Sequence, residues 1–107
     1  MIWDGIKDLG ALNEYLRVDI QDTGERKVAA FRLSDTFVGT VICQSESAAG
    51  VLSSETITDE AGTTGSPTTV GNYMALLDAD SVAFRITCSA YTSGSIRAQA
   101  AQIPLSV

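Results

Sequence analysis

The chain of 107 residues contains no histidine, and this absence excludes much of the chemistry that small proteins perform. Histidine is the usual general base near neutral pH and the most common metal ligand. A serine–histidine–aspartate hydrolase is therefore excluded, and two cysteines without histidine cannot complete a tetrahedral zinc site unaided. The sequence also lacks a glycine-rich phosphate loop. We predict that the protein is not an enzyme and has no catalytic, cofactor-binding or metal-binding residues.

Basic residues are scarce as well, since seven lysines and arginines stand against thirteen aspartates and glutamates, for a formal net charge of −6. Nucleic-acid binding needs clustered positive charge, so we expect no nucleic-acid partner. No apolar run approaches the roughly 20 residues that span a bilayer, and residues 1–5 lack the basic start of a signal peptide. We therefore expect no membrane partner, and a protein that is made and used, or assembled, in a cytoplasm.

The sequence does contain alternating apolar and polar residues, and the alternation is clearest in residues 81–99. Apolar side chains occupy the even positions of 82–90 and again of 96–100, as in strands with one buried face. This phase places Val82 and Ala90 on the buried face. Residues 91–94 (YTSG) between the two segments have the composition of a turn. The stretch therefore predicts a β-hairpin with one dry face and one wet face.

Shorter alternating segments predict further strands at residues 15–20, 27–33, 37–46, 51–58 and 68–77. The residues expected on their inward faces are Leu16, Val18, Ile20, Ala29, Phe31, Leu33, Val41, Cys43, Ser45, Tyr73, Ala75 and Leu77. Gly39 inside one of them predicts a bulge or a close backbone contact. We expect an all-β protein, a single antiparallel β-sandwich or jelly-roll-like domain of about seven to eight short strands. The connectivity stays open between a jelly roll and an immunoglobulin-like order. The sandwich would span residues 15–102, between an N-terminal arm (1–14) and a C-terminal tail (103–107) that Pro104 keeps out of any central strand.

The predicted N-terminal arm does not alternate, because its apolar residues recur at every third position: Trp3, Ile6, Leu9 and Leu12. This spacing fits a short helical turn, or an extended segment pressed against an apolar surface. Two interpretations remain open. The segment covers the open end of its own core, or it reaches a neighbouring subunit, where tryptophan is a frequent anchor.

Cysteine and carboxylate side chains have ordinary structural interpretations in this sequence. Cys43 and Cys88 lie on inward positions of predicted strands and are expected to be free and buried. A disulfide between two sheets is disfavoured by the expected cytoplasmic origin. The acidic residues are scattered, and Asp59, Asp78 and Asp80 are expected to form turns in contact with solvent.

Two stretches together resemble a known group of domains. They are GTV at residues 39–41 and VAFRIT followed by AYTSGS at residues 82–87 and 90–95. The pattern resembles small β-sandwich domains of tailed-bacteriophage structural proteins, and the resemblance covers about residues 28–101. It implies a module for binding and assembly on capsid surfaces or in tails.

The resemblance and the apolar chain ends together predict a capsid decoration, or cement, protein that bridges neighbouring capsid subunits. Its partners would be the major capsid protein and further copies of itself, with a trimer favoured, and it would reside on the phage capsid surface after assembly in the bacterial host cytoplasm. The predicted interface residues are Trp3, Ile6, Leu9, Leu12, Ile103, Leu105 and Val107. The alternative is a tail, baseplate or fibre module that binds host carbohydrate through loop residues 59–67 and Tyr91.

Overall fold

Nine antiparallel strands in two sheets make up most of the chain in a computed structural model, which describes residues 3–20, 27–78 and 80–104. The strands are β1 (Gly5–Leu9), β2 (Tyr15–Asp19), β3 (Lys27–Ser34), β4 (Phe37–Ser47), β5 (Leu52–Glu55), β6 (Ile57–Asp59), β7 (Gly71–Leu76), β8 (Ser81–Gly94) and β9 (Ile96–Pro104). The expected all-β sandwich is confirmed, with nine strands instead of seven to eight. In the described ranges, no helix has the length and apolar character needed to cross a membrane.

The order of the strands is that of a jelly roll with one additional strand. The five-stranded sheet has the order β1-β9-β3-β7-β6 and the four-stranded sheet the order β2-β8-β4-β5. Consecutive strands therefore occupy opposite sheets at every step except β4/β5 and β6/β7, which is jelly-roll connectivity with β6 as the additional strand. This order decides between the two connectivities that the sequence left open.

The core lies between the sheets and is built from the inward positions of all the longer strands. Its largest fully buried members are Phe31, Phe84, Leu9, Leu33, Ile86 and Ile96. Phe31 and Tyr73 stack with ring centroids 5.4 Å apart. The inward positions predicted in residues 15–20, 27–33, 37–46 and 68–77 are mostly confirmed by the members of the core cluster: Leu16, Val18, Ala29, Phe31, Leu33, Val41, Cys43, Tyr73, Ala75 and Leu77.

The predicted hairpin of residues 81–99 is wrong, although both of its strands exist. β8 pairs with β2 and β4, whereas β9 pairs with β1 and β3 in the other sheet. Residues 91–94 continue β8, and the chain passes to the opposite sheet at Gly94, whose φ is +88°. The alternation of apolar and polar residues indicates which face of a strand is buried, but it does not indicate which strand lies beside it.

Irregular pairing of β4 with β8 explains why two residues that were predicted to point inward are exposed. Val82 is 40% exposed and Ala90 is exposed, although both were predicted to point inward. The register shifts at three places along this pair, and each shift changes the alternation that follows it. One shift lies at Gly39, where a Cβ would stand 2.5 Å from the carbonyl oxygen of Ala90. The close backbone contact predicted for Gly39 is thus confirmed.

The chain ends of the described region belong to the sheet. Residues 5–9 form no helical turn, because β1 pairs with β9 from Gly5↔Ala100 to Leu9↔Ile96. At the other end β9 continues to Pro104 and pairs with β3, so Ile103 is part of a central strand, contrary to expectation. The proline is tolerated because the pairing of β9 with β1 ends at Ala100. Residues 51–58 also differ, since they form two strands that lie in opposite sheets.

Candidate functional site

The outer face of the five-stranded sheet carries small apolar residues that are nearly fully buried. Val28, Ala30 and Ala101 are 9%, 6% and 3% exposed, yet none of them belongs to the core between the sheets. They alternate with inward residues such as Ala29 and Phe31, so they point away from the core. Side chains from neighbouring segments must therefore cover this face.

A cavity of about 360 Å³ lies over this face, and we call it the Trp3 groove. Its apolar lining includes Trp3, Ala30, Met74 and Ile103. Its polar lining is formed by Thr58, Asp59, Glu60 and Asn72 from β6, the following turn and β7. The volume is within the range of small-ligand sites. It would hold one or two amino-acid side chains or a sugar ring.

Trp3 reaches the groove because the residue after it is tied to β9. The backbone N–H of Asp4 donates to the carbonyl oxygen of Ala100 at 2.8 Å. In return, Oδ2 of Asp4 accepts a hydrogen bond from the backbone N–H of Gln102 at 2.9 Å. These two bonds extend the β1–β9 pairing by one step. They place Trp3 beside the end of β9, where Ile103 also lines the groove.

The acidic end of the groove is held by a tight turn. Oδ1 of Asp59 accepts hydrogen bonds from the backbone N–H groups of Ala61 and Thr63, both at 2.9 Å. The turn-forming role predicted for Asp59 is thus confirmed. Glu60 accepts a hydrogen bond from the side-chain amide of Asn72. The two carboxylates lie next to the apolar lining and give one end of the groove a negative charge.

The predicted interface residues divide into four groups. Trp3 and Ile103 meet in the groove, and Ile6 and Leu12 are 52% and 55% exposed outside it. Leu9 is fully buried in the core of its own chain, so it cannot contact another subunit from this conformation. Leu105 and Val107 lie outside the described residues.

Met74 and Ala30 are site residues that the sequence reasoning missed. Met74 is 52% exposed and lies opposite Ala30 in the β3–β7 pairing. A signal was present, because residues 73–77 are apolar at every position and not only at alternate ones. A strand that is apolar on both sides is typical of a sheet whose outer face is also covered.

The outer face of the four-stranded sheet has a different character, because its charges are paired. Glu46 accepts hydrogen bonds from Arg17 at 3.0 Å and from Arg85 at 3.0 and 3.2 Å, and its side chain is only 12% exposed. Arg85 also lies over the ring of Tyr15, 4.2 Å from its centroid. The hydrogen bond from Arg17, assisted by the charges of Arg17 and Arg85, holds the pKa of Glu46 below its ordinary value despite an opposing effect of burial. These residues satisfy one another and leave little capacity for a ligand.

A smaller polar cluster lies where β4, β5 and the β7–β8 connection meet. The buried Ser45 has its hydroxyl oxygen 2.9 Å from Oε1 of Glu55 and 3.4 Å from Oδ2 of Asp78. A hydroxyl has one proton to donate, so it cannot satisfy both carboxylates fully. Burial and, more weakly, the charge of Asp78 raise the pKa of Glu55, while the Ser45 hydrogen bond opposes the rise.

Cys43 and Cys88 are free and buried, as predicted. They lie on the adjacent strands β4 and β8 of one sheet, so they could not link the two sheets. Burial raises the pKa of Cys43 to about 12 and also raises that of Cys88. Both thiols are therefore un-ionised and unreactive near neutral pH. Among the described residues, no group of three or more histidine, cysteine, aspartate or glutamate side chains could hold a metal ion.

The alternative carbohydrate site of loop residues 59–67 and Tyr91 stays a prediction. Tyr91 donates its hydroxyl hydrogen bond to the carbonyl oxygen of Gly94 at 3.0 Å, at the end of β8. Asp59 and Glu60 line the Trp3 groove together with the aromatic residues Trp3, Phe31 and Tyr73, and Tyr91 is not part of that lining.

No protein-family model, curated protein or solved structure matches this chain. The chemistry of the groove and the motifs in the sequence are therefore the grounds for a functional proposal.

Proposed function

We propose that this protein is a virion structural protein, a capsid decoration or cement protein that stabilises a phage head by bridging neighbouring capsid subunits. The observation that carries the proposal is the Trp3 groove, which is lined by Trp3 and Ile103 from opposite ends of the described chain. The resemblance of residues 28–101 to structural domains of tailed phages supports it. The jelly-roll connectivity supports it further, because this fold is frequent in capsid proteins.

Bridging would operate by burial of apolar surface. Trp3 is partly exposed and Met74 is 52% exposed, so a segment of a capsid protein inserted between them would remove both from water. Tryptophan residues in such pockets often dominate binding. A homo-oligomer, with a trimer favoured, would present several grooves to one capsomer and gain affinity from simultaneous contacts.

The test mixes the purified protein with heads of the encoding phage that lack it, and occupancy is measured by co-sedimentation. We expect Met74→Glu to weaken binding by at least about tenfold, because it places a charge in the contact. Val38→Glu is the matched control, since Val38 is 56% exposed on β4 and does not line the groove. Wild-type occupancy for Met74→Glu, or no binding of the wild type to heads, would overturn the proposal.

A second function is favoured by one observation, the position of Trp3 beside Asn72, Asp59 and Glu60. An aromatic face with amide and carboxylate groups around it is a suitable surface for a sugar ring. The protein would then be the tail, baseplate or fibre module. A glycan array distinguishes the two, because a decoration protein is expected to bind none of its sugars and a fibre module to bind a related set that Trp3→Ala abolishes.

A further inference from the structure

Asp59 and Glu60 differ from several other carboxylates of the described chain in having no cation beside them. Glu46 and Asp19 each pair with Arg17, and Asp8 pairs with Arg97. In the described ranges, no ion pair is formed by Asp59 or Glu60. The lining of the Trp3 groove likewise contains no lysine or arginine. The lining of this end of the groove therefore contains two carboxylates and no cation.

The remaining bonds of these carboxylates leave acceptor capacity. Within the described residues, Asp59 uses only Oδ1 for its two backbone hydrogen bonds, and Glu60 uses only Oε1 for its bond with Asn72. One oxygen of each carboxylate is thus available to a further donor. An ammonium or guanidinium group is the donor that would also neutralise the charge.

The apolar lining and the two carboxylates border the same cavity. Trp3, Met74 and Ile103 line the same cavity as Asp59 and Glu60, and its floor at Ala30 carries only a methyl group. The cavity of about 360 Å³ is too small for a helix and large enough for one bulky side chain with its neighbour. An occupant must therefore present an apolar group and a cation close together.

We propose that the Trp3 groove binds an extended segment of a partner protein in which a large apolar side chain is adjacent to a lysine or arginine. The apolar side chain packs between Trp3 and Met74, and the cation binds at Asp59 and Glu60. This names the partner chemistry of the site on which the proposed function rests. Arg32, which pairs in register with Asn72, is exposed on the same face but does not line the groove.

The test uses short peptides and the fluorescence of Trp3, the single tryptophan of the chain. The full chain is titrated with acetyl-GSLKSG-amide, its glutamine and glutamate analogues (GSLQSG and GSLESG), and GSAKSG, in which the apolar side chain is reduced. We expect affinity to fall in the order lysine, glutamine, glutamate. The lysine peptide GSLKSG should bind about threefold to tenfold more tightly than the glutamate peptide GSLESG at low salt. This preference should shrink at 0.5 M salt. GSAKSG should bind more weakly than GSLKSG.

Two variants test whether the preference for the lysine peptide arises at Glu60. Glu60→Gln should reduce the ratio of lysine to glutamate affinity, while Asp35→Asn, an exposed carboxylate in the β3–β4 turn, should leave it unchanged. Asparagine tolerates the φ of +69° found at Asp35, so this control should fold normally. Equal affinities for the lysine and glutamate peptides, or no change in Trp3 emission with any peptide, would overturn the inference.

Failure of this inference is distinguishable from failure of the proposed function. If Met74→Glu abolishes binding to phage heads but the peptides show no charge preference, the groove binds capsids without a cation and the inference is wrong. If the peptides show the expected preference but wild-type protein does not bind heads, the inference stands and the decoration role is wrong.

Discussion

A Cβ atom on Gly94 would collide with the carbonyl oxygen of Thr36 and would lie 2.8 Å from the Cα of Phe37. The same carbonyl accepts a hydrogen bond from the backbone N–H of Ser95 at 3.4 Å. Gly94 ends β8, and the next strand begins two residues later in the opposite sheet. Its φ of +88° is a conformation that other residues adopt at a cost.

Gly94→Ala should therefore destabilise the protein by about 3 kcal/mol or more, since backbone strain adds to a collision with main-chain atoms. Gly62→Ala is the matched control. Gly62 has a similar φ of +85°, and a Cβ there would meet nothing within 4 Å, so only the strain of about 1 kcal/mol remains. Urea unfolding measures both. Equal losses in the two variants would show that the contact with Thr36 is unimportant.

Leu9 and Leu12 test whether residues 5–9 are part of the folded core. Leu9 is fully buried and Leu12 is 55% exposed. We expect Leu9→Ala to cost about 2–5 kcal/mol and Leu12→Ala less than about 0.5 kcal/mol, as measured by urea unfolding. A small effect at Leu9 would mean that β1 is a detachable arm. The same reasoning implies that deletion of residues 1–12 would remove a strand and damage the fold, so point substitutions are the better test of binding.

Glu46 should make the free energy of unfolding depend on pH. Its pKa in the folded chain is lowered, chiefly by the hydrogen bond from Arg17. The folded state therefore favours the ionised form, and this contribution is present above the unfolded pKa, near 4.5, and is lost as pH falls through the folded pKa. Glu46→Gln should lower the urea midpoint at pH 7, and the difference from wild type should shrink as pH falls below the unfolded pKa and through the folded pKa. Asp8→Asn, which breaks a 3.6 Å pair between exposed groups, should have a much smaller effect at either pH.

Glu55 should show the opposite dependence on pH. Burial raises its pKa, so the folded state favours the protonated form. The associated stability is fully present below the unfolded pKa and is lost as pH rises through the folded pKa. Glu55→Gln keeps an acceptor for Ser45 without the charge near Asp78, and it should raise the urea midpoint at pH 7 more than at pH 4. A lower midpoint at pH 7 would show that the ionised carboxylate is preferred.

The two cysteines should be unreactive in the folded protein. With the pKa of Cys43 at about 12, only about one thiol in ten thousand is ionised at pH 8, and burial also blocks access. A chromogenic disulfide reagent should react negligibly with native protein and with both thiols after unfolding in urea. Similar rates in the two conditions would contradict the buried placement.

The faces of the strands were predictable from sequence, and their neighbours were not. The alternation in residues 27–33 identified Ala29, Phe31 and Leu33 as inward, because burial of one face imposes a period of two. Residues 51–58 looked like one weak strand, yet β5 and β6 occupy different sheets. Composition does not specify where a chain turns between sheets, since the position depends on long-range pairing.

The candidate site was predictable only in part for the same reason. Trp3 and Ile103 were selected as interface residues because they are apolar residues near the chain ends. Their meeting depends on the pairing of β1 with β9, which joins residues as far apart as Gly5 and Ala100. Ala30 also lies in a run that is apolar at every position, residues 28–31. Its place in the groove was not predictable, because the walls around an outward alanine are supplied by neighbouring strands.

The pairing of β1 with β9 also has a consequence for biosynthesis. During translation β1 leaves the ribosome long before β9 has been synthesised, so Gly5 cannot pair until Ala100 has been added to the chain. Until then the edges of β1 and β3 that face the missing strand have unsatisfied backbone groups, which invite association with other nascent chains. Completion of the five-stranded sheet is therefore expected to be a late event in folding, after β9 has been made, and nascent chains should benefit from a chaperone that shields those edges.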